Sequence, residues 1–335
     1  MPSMTEAAQV GKRQELPNII TNIQPGDTPV LSMIKQGARP LQMSGTVVAE
    51  QYPDVAFTGT LDATPVTTFE RVDRYAMNVK GQYWRKPWAV STLADVTTAA
   101  GVGTNEAGRQ QVSAMLLLKR MIELTLCGAQ DSAAESGATP WATRGILGWL
   151  DVSVSGSGSD AIPSAVRPTV DTKYSGAGAS FGESDLRSLF TAAMKQKRAK
   201  LDLVGVVGPT LRNIIDDFTS VLKSSSSTSQ PRTIFRVEGN STYLNKVTDI
   251  EFSSGTATLI TSTFIDYTAS TGAAGTYSDS SGFFFDPSMF DIGYLKPIAN
   301  TNLPPDGSGV RGYIDAVAML RCRNALAQPV IRPTS

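Results

Sequence analysis

The chain opens with apolar and polar positions in an unusual arrangement. Residues 15 to 35 read ELPNIITNIQPGDTPVLSMIK, two apolar clusters separated by Pro25-Gly26. From about Gly45 to Ser91 the pattern becomes short alternating runs rich in Val, Thr, Tyr and Phe, broken by prolines and glycines. A period of two in such residues predicts strands, here a long two-stranded excursion. At about 3.3 Å per residue, arms of roughly twenty residues reach some 60 Å, farther than a domain of this size needs to cover its own core. A ribbon of that length is not stable alone in water, so it is expected to lie on something else.

Helical periodicity follows in TNEAGRQQVSAMLLLKRMIELTLCGAQ, residues 104 to 130. Thr104 or Asn105 suits the cap and Glu106 the positive end, while Val112, Met115, Leu118, Ile122 and Leu126 follow one side. About 25 residues give a helix of roughly 38 Å. Leu116, Leu117, Met121 and Leu124 widen its apolar stripe, which predicts burial under the protein's own sheet, and Gly128 ends it. The tract from Asp151 to Gly182 is rich in Gly and Ser and reads as loop or linker. Residues 183 to 200 form a second helix by the spacing of Leu186, Leu189, Phe190, Ala193 and Met194. Its last turn carries Lys195, Lys197, Arg198 and Lys200, a cation-rich end favourable on any helix. A strand at 203–207 and a helix at 210–221 complete a small α/β unit, followed by the SSSSTSQP loop at 224–231. Strand patterns then dominate: RTIFRVEG, STYLNKVTDIEF, TATLITSTFID, GFFFD, MFDIGYLKPI and VRGYIDAVAMLRCRNALAQPVI. The last is expected beside the long helix in one sheet, with Cys127 and Cys322 in or near the core.

Composition narrows the chemistry. Of 335 residues 41% are hydrophobic and only 18% charged, and Lys+Arg 30 balances Asp+Glu 30, so no bulk attraction to nucleic acid or anionic membrane follows. Few surface charges also leave little repulsion between copies, which suits an assembling protein. No secretory signal pattern or membrane-length apolar run is visible, which leads to the expectation of a cytoplasmic protein. The two cysteines read as reduced, buried apolar residues, and with no histidine they leave little for a zinc or copper site. The missing histidine also removes the usual general base. Gly178-Ala179-Ser180-Phe181-Gly182 matches a nucleophile elbow in form, but it follows a small-residue loop, so Ser180 is read as a cap near the next helix. The glycines around Val206-Val207-Gly208-Pro209-Thr210 lack the Lys-Ser/Thr of a phosphate loop, and Asp216-Asp217 reads as a solvated helix face. No catalytic, cofactor-binding or metal-binding set emerges.

Several stretches in chain order carry a resemblance. They are Asn18 to Ile34 (N-I-I-x-N-I-x-P-x-D-T-P-x-L-S-x-I), the extended excursion leading to Val90-Ser91-Thr92, and Lys119 to Glu123 (K-R-x-I-E). Arg144 to Trp149 (R-G-I-x-x-W), Phe285 to Ile292 (F-D-x-x-x-F-x-I) and a long last strand complete them. Over nearly its whole length the chain resembles the major capsid proteins of tailed bacteriophages with the fold named after bacteriophage Hong Kong 97, in particular the podovirus SU-ten-like group.

The resemblance implies an α+β capsid fold. Residues 1–42 would be an N-terminal arm and 43–91 an extended loop; 92–182 with 286–335 would form a peripheral domain around a spine helix at 104–130, and 183–285 an axial domain. It implies a protein that assembles with itself into hexamers and pentamers, forming an icosahedral head around double-stranded DNA. Ile19, Ile20, Ile23, Val30, Leu31 and Ile34 of the arm would be buried between chains, at about 25 cal/mol per Å² of apolar area. Tyr52, Phe57, Phe69 and Tyr75 of the loop would also meet neighbours. Lys195, Lys197, Arg198 and Lys200 would be candidates for facing the packaged DNA, held non-specifically. Further implied partners are a portal protein at one vertex, a separate scaffolding protein, since the chain shows no large segment ahead of the arm, and a cement or decoration protein. No cofactor, membrane or catalysis is implied, and the place of action is the virion, assembled in the host cytoplasm. Some family members cross-link a loop lysine to a neighbour's asparagine; Lys80, toward the loop's return end, is a candidate for that lysine, but no paired asparagine is identifiable. Two other readings stay open: another phage structural protein of the tail or head-completion type, and a histidine-free α/β enzyme.

Overall fold

Pro29, which lacks an N–H and has its φ fixed, starts the first short helix, α1 (Pro29–Met33), and Ile34 ends it in extended backbone. This computed structural model describes residues 28–52, 59, 61–62, 65, 67, 69, 71–96, 106–137, 139–158, 160–218, 247–266, 268–270, 273–276, 278–305 and 309–333. After α1 come β1 (Lys35–Gln36), β2 (Ser44–Gln51), β3 (Asp73–Lys80), β4 (Gln82–Ser91), α2 (Thr92–Val96) and the long helix α3 (Glu106–Cys127). The middle of the chain holds α4 (Ile146–Leu150), α5 (Val152–Ser155), β5 (Lys173–Tyr174), α6 (Glu183–Lys197), β6 (Leu201–Val207) and α7 (Pro209–Asp217). It ends in β7 (Asp249–Phe252), β8 (Gly255–Thr261), β9 (Thr268–Ser270), β10 (Ala273–Thr276), β11 (Gly282–Phe285), β12 (Phe290–Leu303), β13 (Gly309–Cys322) and β14 (Val330–Ile331).

The chain divides into two compact units, one containing Arg85–Leu118 and Ala299–Asp315, the other Thr28–Trp84, Lys119–Ile298 and Ala316–Ser335. In the larger unit a six-stranded mixed sheet runs β5-β14-β11-β6-β8-β7. β6 and β8 pair in parallel from Leu201↔Gly255 to Val207↔Thr261, and β11 lies antiparallel to β6. Every residue of β11 is buried, as expected of a short all-apolar strand covered on both faces. The core beside this sheet includes Leu186, Leu189 and Phe190 of α6, Leu211 and Ile215 of α7, and Leu203, Val207 and Leu259 of the strands. Phe190 stands edge-to-face against Phe284 at 5.1 Å and Phe252 at 5.3 Å.

In the smaller unit Trp88 is buried and its Nε1 donates to Asn300 Oδ1 at 2.9 Å, while the Arg85 guanidinium lies 4.9 Å from the Tyr313 ring centroid. Asp95 of α2 accepts from the Ala107 amide at 3.2 Å, placing an acceptor at the start of α3. Thr104 and Asn105, the expected caps, lie outside the described residues.

Four expectations change. Among the described residues the excursion pairs as a ribbon over β2 and β3, antiparallel from Ser44↔Lys80 to Gln51↔Asp73. β4, expected as its return, belongs instead to a four-stranded sheet ordered β1-β12-β13-β4, because Trp84, Trp88 and Val90 turn alternate positions inward. Ser180 does not cap α6; it ends a one-turn 3-10 helix, and Asp185 Oδ2 accepts from the Gly182 amide at 3.0 Å. The final strand is interrupted after Cys322, where Ala327 adopts φ 64°, and resumes as β14 in the six-stranded sheet. RTIFRVEG, at 232–239, lies outside the described residues.

Candidate assembly surfaces

The ribbon, with the segment between its two strands, is where apolar side chains stay in water. Toward its root, alternate residues Met77 and Val79 are buried, but Val48, Val72, Tyr52 (74% exposed) and Phe69 (87%) are not. The ion pairs there, Arg74 to Glu50 at 2.7 Å and Arg71 to Asp73 at 3.0 Å, are solvent-exposed and contribute little. Tyr75 is half-buried opposite Ala49. Along α3, Val112, Leu116, Leu117 and Met121 also remain exposed, so burial under the protein's own sheet does not cover the whole widened stripe.

The root is anchored by charge. Lys80 Nζ pairs with Asp160 Oδ2, and both side chains are nearly dry, 12% and 8% exposed. Ser132 Oγ (3.1 Å) and Asn78 Nδ2 (3.4 Å) also donate to Asp160. Burial alone would raise this carboxyl's pKa, but the bonds from Lys80, Ser132 and Asn78 outweigh it and hold the group below its ordinary value. Lys80, the candidate cross-linking lysine, therefore points into its own subunit.

Two of the arm residues expected to wait for a neighbour do not. Val30 and Ile34 are already buried within the chain, because α1 and β1 pack on its own elements, which corrects that expectation. Leu31 is half-buried, and Ile19, Ile20, Ile23 and Phe57 lie outside the described residues. The anchor is Glu123 of α3, fully buried, whose two carboxylate oxygens accept from the Val30 amide at 2.9 Å and the Leu31 amide at 2.7 Å. β1 runs parallel to β12, and Arg321 bridges Asp291 (2.5 Å) and the Ala38 carbonyl (3.0 Å).

The R-G-I-x-x-W motif is a packing hub. Arg144 is buried, donates to Asp131 Oδ1 (2.7 and 2.9 Å) and to the Asp160 carbonyl (2.8 Å), and lies 4.9 Å from the Trp149 ring centroid. A Cβ on Gly145 would sit 2.1 Å from the Gly128 carbonyl oxygen, and one on Gly148 2.4 Å from that of Gln130, so both positions exclude side chains. Asp151, fully buried, receives Lys173 Nζ (2.7 Å), the Ser153 amide (2.8 Å) and Arg332 (3.0 Å). Arg332 also holds Asp266 at 2.8 Å, which ties the C-terminal segment to α5, β5 and the loop before β9. Sequence reading missed Glu123, Asp160 and this network; the available signal was a charged residue inside an apolar stripe, as at Ile122-Glu123.

The four basic candidates lie in the last turn of α6 and just beyond it. Lys195 is exposed beside an open groove of about 1100 Å³ whose lining includes Asp171 and Glu183 as well as Arg187. Lys197 pairs with Asp286 at 3.8 Å, Arg198 adopts φ 54° just beyond α6, and Lys200 lies outside the helix. Among the described residues no cluster of metal-ligating side chains occurs, and no helix is long and apolar enough to cross a membrane.

The chain is similar to the capsid asymmetric unit of cyanophage A-1(L), with TM-score 0.64, 12% identity and 98% of each chain covered. It is similar to a chain of Mycobacterium phage Bobi (TM-score 0.60, 10% identity, 100% of each chain) and to one of Microbacterium phage Oxtober96 (0.59, 14%, 99% of this chain and 100% of that one). No curated protein matches the sequence. The fold is thus the Hong Kong 97-type capsid fold. The sequence matches the SU10 major capsid protein family over residues 3–334, and the chain belongs to that family of head-forming structural proteins of tailed phages.

Proposed function

We propose that this protein builds the icosahedral head as hexamers and pentamers of itself, enclosing double-stranded DNA. The observation that carries this reading is the β2–β3 ribbon. An isolated two-stranded ribbon is marginal in water; Val48 is exposed on it, and Tyr52, Phe69 and Val72 are exposed in the segment between its two strands. A neighbouring subunit is the surface that would cover them. Tyr52, Phe57, Phe69 and Tyr75, with Leu31, Ile19, Ile20 and Ile23 of the arm, are the proposed contacts between subunits. Repetition of such contacts around closed rings gives a shell whose stability rests on multivalency.

The division that follows is an arm at 1–42, an extended loop at 43–91 whose paired part ends at Lys80, a peripheral domain at 92–182 and 286–335, and an axial domain at 183–285. A portal protein, a separate scaffolding protein, a cement protein and assembly in the host cytoplasm belong to the same reading. Exposed Lys195 and Lys200 are the better candidates for facing DNA, because Lys197 already has Asp286. The role is structural, with no catalytic step. Negative-stain electron microscopy and gel filtration of the chain expressed alone test the reading. Closed shells, hexamer-sized rings or polyheads are expected; a stable, monodisperse monomer would overturn it.

A further inference from the structure

Glu123 is a buried carboxylate with a specific grip. Val30 and Leu31 are the second and third residues of α1, and N–H groups in a helix's first turn have no partner within the helix. The two oxygens of Glu123 take one amide each, across 93 and 92 positions of sequence. Cys127, one turn along α3, brings its Sγ to 3.9 Å from Oε1 and, among the described residues, is the titratable side chain that meets this group; α1 carries none. Burial pushes the Cys127 thiol well up, so it stays neutral and donates.

A carboxylate is a costly way to attach a five-residue helix. Burial raises the Glu123 pKa, and the bonds from Leu31, Val30 and Cys127 oppose the shift without cancelling it. A folded-state pKa above the unfolded value means that folding binds protons, so this ionisation weakens the fold as pH rises from the ordinary carboxylate value through the raised one. At neutral pH the charge therefore costs stability, yet it fixes both the position and the rotation of α1, because two adjacent amides meet two oxygens at once. Farther along, the Gly37 amide donates to the Ile292 carbonyl at 2.9 Å and Arg321 holds Ala38, so Thr28–Ala38 is clamped at both ends.

We propose that Glu123 is a positioning residue for assembly: its carboxylate fixes the position and rotation of α1, which carries the proposed contact residue Leu31, and shell formation depends on α1 being held there. The proposal rests on the assembly reading above.

The full chain is compared as wild type, Glu123→Gln and Glu123→Asp. Glutamine keeps the size and one acceptor but removes the charge and presents an NH2 group to the second amide; aspartate keeps the charge. Three quantities are read: deuterium uptake of peptides covering 28–37, thermal unfolding of the unassembled subunit, and the protein concentration at which shells appear by light scattering and microscopy. E123Q is expected to unfold near the wild-type temperature while exchange at Val30 and Leu31 rises about tenfold and the assembly threshold rises about tenfold, the scale of one lost charge-assisted hydrogen bond. E123D is expected closer to wild type than to E123Q. A folded E123Q that assembles at the wild-type threshold overturns the proposal, as does a folded E123D that assembles no better than E123Q. Should E123Q not fold, E123D alone decides: assembly within about threefold of wild type supports the role, and a loss of about tenfold or more removes it. A wild-type chain that stays monomeric defeats the assembly reading itself, whatever the exchange data show.

Discussion

Replacing Lys80 with alanine leaves the Asp160 carboxylate buried without its cation. Removing one member of a fully buried pair costs about 3–5 kcal/mol, because the remaining charge is neither solvated nor neutralised. Here Ser132 Oγ at 3.1 Å and Asn78 Nδ2 at 3.4 Å stay behind as donors, which lowers the expected loss to about 2–3 kcal/mol. A double-mutant cycle with Asp160→Asn should return a coupling of about 1.5–3 kcal/mol. The pH dependence has a definite sign. Asp160 is held below its ordinary pKa, so its contribution is present above the ordinary carboxylate range and is lost as pH falls through the folded-state value. The K80A penalty should therefore be full at about pH 7 and shrink once the pH passes below about 4. Urea unfolding of the unassembled subunit at the two pH values measures it. A loss under about 0.5 kcal/mol at neutral pH would mean that the pair behaves as an exposed one and that the ribbon is anchored elsewhere.

Other changes test separate parts of the structure. Phe190→Ala removes a fully buried ring from between Phe284 and Phe252 and should cost about 3–5 kcal/mol in urea unfolding; a loss below about 1 kcal/mol would contradict the packing. Gly145→Ala places a methyl 2.1 Å from the Gly128 carbonyl oxygen and 2.7 Å from that of Thr125, so a loss of about 3 kcal/mol or an insoluble product is expected, and a wild-type melting curve would refute the close approach. Tyr52→Ser with Phe69→Ser, both on exposed side chains, should leave subunit stability within about 0.5 kcal/mol while shell yield falls; unchanged yield would remove them from the interface.

The elements with clear periodicity were legible in the sequence. The long helix expected at 104–130 is found at Glu106–Cys127, the one expected at 183–200 at Glu183–Lys197, and the strand expected at 203–207 at Leu201–Val207. The ribbon's end was not legible, since β3 and β4 share one composition and one alternation, and a single residue, Gly81, separates strands that join different sheets. The last strand misled in the same way, because its apolar run continues past the point where the backbone turns away at Ala327.

By itself the sequence determined which segments are helical or extended, that histidine chemistry is absent, and that the chain start and the ribbon carry apolar residues in need of cover. Only the tertiary structure decided what covers them: Val30 and Ile34 are buried by their own chain, while Tyr52 and Phe69 are left exposed. It also decided that Lys80 is spent on Asp160 and that Glu123 holds α1. The physical reason is range. Periodicity and propensity act within a few residues, whereas the partner of a buried charge or an apolar side chain is set by chain closure over tens to hundreds of residues, which no local pattern records.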